Sequence, residues 1–161
     1  MKLKKISIEL VLPFIVAWLL MTILVDIITI PTVFRNSTSI IDAGKIGMTV
    51  FGRFNVFEII FAVLVLLGAI FNMQIHKNKK WLYFAVPLLL LSLVYKFYMT
   101  PMITNTTYEI HKTAVSDPMY VELQSRHAQY HNLYRYFDST KILVLLVFSI
   151  VVLTDRVKER N

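Results

Sequence analysis

Of the 161 residues, 57% are hydrophobic and 17% charged, and the mean hydropathy is +0.62. That balance excludes an ordinary soluble domain, and the lack of cysteine excludes disulfides, thiolate metal sites, iron–sulfur clusters and cysteine nucleophiles. The net charge of +7 excludes nucleic acid as the natural partner by its placement: +6 of it sits in short segments flanking apolar runs, which is the positive-inside pattern of a membrane protein.

The length suits one domain over residues 1–161, with its core made by membrane helices packing on one another. The first apolar run follows "MKLKK" and extends over about 8–30. It is too long for a secretory leader and lacks a small-residue cleavage site, so it reads as a retained helix that stops before Pro31. Residues 31–54 form a longer connection in which Ser37 or Ser39 is placed to cap a helix. There Gly44, Gly47 and Gly52 provide either a thin packing face or a break. A second span is expected over about 55–75. The "HKNKK" turn then makes the third span, about 81–100 and ending before Pro101, its antiparallel neighbour.

Asp117-Pro118 is a strong helix start, an N-cap followed by proline at the first helical position. No glycine or proline follows, so one long helix is expected from Pro118 to about Val157. Its span covers about 133–154 and its extension beyond the membrane about 118–132. Basic clusters at the N-terminus (Lys2, Lys4, Lys5), at Lys77–Lys80 and at Arg156–Arg160 mark one side. Both termini are therefore expected in the cytoplasm, with the long connections and the helical extension outside. No internal repeat is visible. The architecture expected is an all-α, four-helix transmembrane bundle in a cell membrane, a bacterial inner membrane.

Five ionisable residues interrupt the apolar runs: Asp26, Glu58, Lys96, Asp138 and Lys141. Asp26 and Lys96 each lie five residues before a proline, about 7–8 Å below the outer helix ends. Charge in hydrocarbon is costly and usually faces a bundle interior or a functional site. In the last helix, His127, His131, Tyr134, Asp138 and Lys141 share one stripe that continues as Leu145, Phe148 and Val152. Thr22, Asp26 and Thr29 share a face in the first span. Asn55 and Glu58 lead into Ala62, Val65 and Ala69 in the second, and Ser92 aligns with Lys96 in the third.

Three carboxylates and two ammonium groups thus converge at one depth. One role for them is a structural salt-bridge layer that fixes helix register. The other is an outward-facing ligand or ion site formed by Asp26, Glu58, Lys96, Asp138 and Lys141, with His131 and Tyr134 at its mouth. His127 and His131 have the i, i+4 spacing that lets two imidazoles share a metal, although solvated interfacial histidines have the same spacing. Phosphate-binding glycine loops, nucleophile elbows and HExxH are absent, so no reaction and no cofactor is specified. A haem or quinone oxidoreductase is disfavoured, because no pair of histidines lies within two spans.

"DIITIPTVFR", "DAGKIGMTVFGRFN" and a third span ending "YKFYMTP" precede a final histidine, tyrosine, aspartate and lysine series. Together these resemble the transmembrane protein 205-like family of small four-helix membrane proteins. The resemblance places Pro31 and Phe34 after the first helix and Gly44 and Gly47 before the second. It implies a four-helix integral membrane protein and no agreed reaction. The partners expected are bilayer lipid and either another membrane protein or a second copy of the chain. The function expected is binding or passage of a small ligand or ion, the alternative being a non-catalytic assembly module.

Overall fold

The computed structural model describes the backbone of residues 2–160 and the side chains of residue 6 and residues 8–158. The side chains of Lys2, Lys4, Lys5, Glu159 and Arg160, which entered the charge pattern, lie outside the described residues. The described chain is all-helical: α1 (Lys2–Ile23), α2 (Ile30–Asn36), α3 (Ile40–His76), α4 (Leu82–Val94), α5 (Thr100–Lys112) and α6 (Pro118–Arg160). π-helical turns at Leu24–Thr29 and Tyr95–Met99 weld α1 to α2 and α4 to α5. The result is four rods, each long and apolar enough to cross a membrane.

The first and third helices do not stop before their prolines, as the sequence predicts. Proline cannot donate to the carbonyl four residues back, and its ring crowds that carbonyl. The chain accommodates this by widening the preceding turn rather than by ending the helix. Ile30 N–H bonds Val25 O and Thr100 N–H bonds Tyr95 O, both five residues back, while Thr29 Oγ1 donates to Leu24 O at 2.9 Å. The same number of residues separates Asp26 from Pro31 as Lys96 from Pro101, with buried Thr22 and Ser92 one turn earlier in each rod. The two halves therefore share the layout that residue order already suggests, now with a π turn in each.

The helix that holds the second span begins at Ile40, after one of the two caps the sequence offers. Ser39 caps α3, its Oγ accepting from Ile41 N at 3.2 Å and Asp42 N at 3.4 Å. The helix then runs unbroken through Gly44, Gly47 and Gly52, and Gly47 faces the Phe34 and Ile30 side chains. At the start of α6, Asp117 Oδ1 accepts from Met119 N at 2.8 Å.

Between the turn at residues 77–81 and mid-bundle, α1 packs between α3 and α6, and α4 packs on α3. Small residues allow close approach, as lipid provides no hydrophobic drive between helices. Ala62, Val65 and Ala69 of α3 and Ala85 of α4 are fully buried with Val11, Ile15, Phe148 and Val152. The Phe84 and Phe148 rings stack at 4.9 Å. Leu20, Ile60, Leu90, Leu143 and Ile150 point outward, as a lipid-facing surface requires. Toward the other end the rods regroup: α2 stays with α3 while α5 moves onto α6. Two jaws result, and the space between them opens above the polar layer.

Candidate functional site

Glu58, Lys141 and Asp138 meet at mid-bundle because the α3 and α6 stripes face each other there. All three are buried, Glu58 at 0% and Lys141 at 1% exposure. Lys141 Nζ donates to Glu58 Oε1 at 2.5 Å and pairs with Asp138 one turn away on its own helix. Trp18 Nε1 donates to the same Glu58 oxygen at 3.0 Å, which ties α1 into the layer. The ammonium also lies 4.9 Å from the Tyr95 ring centroid and 5.6 Å from that of Phe54, where aromatic faces attract a cation. Asp26 approaches from the first π turn, and its Oδ2 is buried without a hydrogen-bond partner among the described residues.

Lys96 does not join this group. It is half-buried, and its Nζ donates to the Gly52 carbonyl at 3.1 Å. The π turn around it explains the change. The widened backbone presents Tyr95 and Met99 to the interior after Ser92 and sends Lys96 across to α3. The expected two ammonium groups against three carboxyls thus become one.

Several buried oxygens in the layer have no hydrogen-bond partner among the described residues: Asp26 Oδ2, Glu58 Oε2, Thr22 Oγ1 and Tyr95 OH. Buried polar groups are nearly always satisfied, so four together mark an unsaturated site. The layer is rich in acceptors and short of cationic charge.

An aromatic floor separates it from the space above. Tyr134 packs on Tyr95 with ring centroids 4.7 Å apart and on Phe51 at 5.3 Å. Tyr134 OH donates to Asn55 Oδ1 at 3.5 Å, and Asn55 Nδ2 donates to Thr100 Oγ1 at 2.6 Å. Trp18, Tyr95 and Thr100 were not among the candidate site residues. Trp18 and Tyr95 look like core and membrane-belt aromatics in sequence, and only their neighbours reveal a polar role.

Above the floor, between the jaws, lies a cavity of about 430 Å³. Its α2–α3 wall is apolar, with Ile30, Phe34, Met48 and Phe51. Its α5–α6 wall carries Thr104, His111, Gln124, His127 and His131. The His127 and His131 rings are 6.0 Å apart and edge-on. Among the described residues no third histidine, cysteine or carboxylate joins them into a metal-holding group. Burial, and then His131, hold the His127 imidazole below its ordinary pKa.

A family profile described as Domain of unknown function (DUF4149) matches residues 14–112, from the first span through α5. No curated protein and no solved structure matches the chain.

Proposed function

This chain belongs to the DUF4149 family, and from that premise we propose that it is a small multi-pass membrane protein whose polar layer and overlying cavity bind or pass a small ligand or ion. The observation that carries this is the charge imbalance of the layer. Asp26 Oδ2 is buried without a partner among the described residues, while Lys141, the one cation that the described residues bring into the group, is held by Glu58 and Asp138. Uncompensated charge is expensive away from water, so a polar cluster with acceptors to spare suits an arriving partner, either a ligand or a small cation such as a proton. Asp26, Glu58, Asp138 and Lys141 form the site, with Tyr134 and His131 at the mouth. Lys96 has a supporting role through Gly52. A metal shared by His127 and His131 would need ligands from the arriving molecule itself.

The basic clusters favour cytoplasmic termini and an outward-facing cavity in a single domain, in a bacterial inner membrane. The match over residues 14–112 includes Pro31, Phe34, Gly44 and Gly47, which carry the likeness to transmembrane protein 205-like proteins. A second proposal, a structural layer within an assembly module, is favoured by the complete pairing of Lys141. Apolar replacement separates the two, because hydrophobic residues can substitute for a structural ion pair but not for a ligand site. Asp26→Leu should give an inserted, folded protein that fails to complement deletion of its gene. Full complementation by this variant would transfer the case to the assembly module.

A further inference from the structure

We infer that the cavity between the jaws takes a single-chain amphiphile with a carboxylate head, a fatty acid drawn from the bilayer. The inference rests on the ligand-site reading and names the class of ligand. The two walls differ in kind, and that difference carries it. Ile30, Phe34, Met48 and Phe51 on the α2–α3 side have no polar side-chain atoms to satisfy and suit a hydrocarbon chain. Across from them His111, His127 and His131 bring imidazole N–H groups that donate in either protonation state, and no hydrogen bond among the described residues occupies them. Among the described residues no aspartate or glutamate lines the cavity, so a cationic head would meet no counter-charge, whereas a carboxylate would meet donors.

Size and position agree. About 430 Å³ lies within the roughly 300–1,000 Å³ usual for small-ligand pockets. The floor is Tyr134, one turn from Asp138, so the cavity lies next to the polar layer and between rods apolar enough to meet lipid. Phe34 and Ile41 are each 45% exposed and form an apolar edge through which a chain can slide from the lipid. Gly44 keeps the space open: a Cβ built on it meets nothing within 4 Å, and the site is an ordinary helical one.

The test uses the full chain in nanodiscs, irradiated with a diazirine-bearing laurate, with attachment sites read by mass spectrometry. Labelling is expected on the segment from Phe34 to Phe51, competed by laurate and about tenfold less well by dodecyltrimethylammonium, the worth of one hydrogen bond to a charged group. Gly44→Trp, which fills the space, should remove that labelling, while Gly44→Ala should keep it. If Gly44→Trp does not fold, the combined His111→Leu, His127→Leu and His131→Leu change decides, since it should abolish the preference for laurate over the ammonium. Labelling confined to lipid-facing positions such as Leu143 and Val147, or equal competition by the two heads, overturns the inference. That failure is distinct from failure of the ligand-site proposal, which is read by complementation with Asp26→Leu and uses no amphiphile.

Discussion

Lys141 and Trp18 donate to one and the same oxygen of Glu58, at 2.5 Å and 3.0 Å, and leave its second oxygen without a partner. Three rods are thereby joined at one atom: α1 through the indole, α6 through the ammonium and α3 through the carboxylate. Both donors are buried with the oxygen they serve.

Breaking this junction from one side should cost more than removing it. Glu58→Leu leaves Lys141 buried with Asp138 alone, and losses of about 3–5 kcal/mol are typical when a buried pair is broken. The double change Glu58→Leu with Lys141→Leu should recover much of that loss. Denaturant unfolding in micelles provides the cycle, and simple additivity of the two single changes would show that the groups do not interact.

Lys96 and Lys141 should behave differently although both interrupt an apolar run. Lys96→Met loses one hydrogen bond to a carbonyl, worth about 1.5–3 kcal/mol for a charged donor. Lys141→Met strands Glu58 and Asp138 together and should lower the midpoint temperature far more. Thermal melts of the two variants side by side check the order, and equal losses would return Lys96 to the buried cluster.

The pH dependence of the far end follows from His127. Its imidazole is held below the ordinary value of 6.5 by burial and by His131, so the folded state resists a proton that the unfolded chain accepts. This contribution to stability is present above about pH 6.5 and is lost as the pH falls through the folded value. Stability should therefore decline between about pH 7 and pH 5, and His127→Gln should flatten the decline. Melting curves across that range measure it.

Orientation is open to direct chemistry because the chain has no cysteine. A cysteine at Asn78 in the basic turn should be shielded from a membrane-impermeant maleimide in intact cells, and one at Lys112, at the end of α5, should be labelled. The reverse pattern would invert the topology and place the cavity in the cytoplasm.

Some of this was fixed by local chemistry. Four apolar runs, the Asp117-Pro118 start and the inward stripe from Tyr134 to Val152 depend on hydropathy, capping and helical periodicity, all of which act within one segment. They were legible from residue order. So was the common level of Glu58, Asp138 and Lys141 along the bundle, because helical rise is constant. What the sequence could not decide is which side chains face one another across rods. Pro31 and Pro101 looked like helix ends, yet packing on neighbouring helices carries the chain past them as π turns. That widening moves Tyr95 inward and Lys96 away, changing the charge balance of the layer. The parting of α2–α3 from α5–α6, which opens the cavity, likewise arises only when four rods compete for the same neighbours. Periodicity along one helix cannot encode that competition.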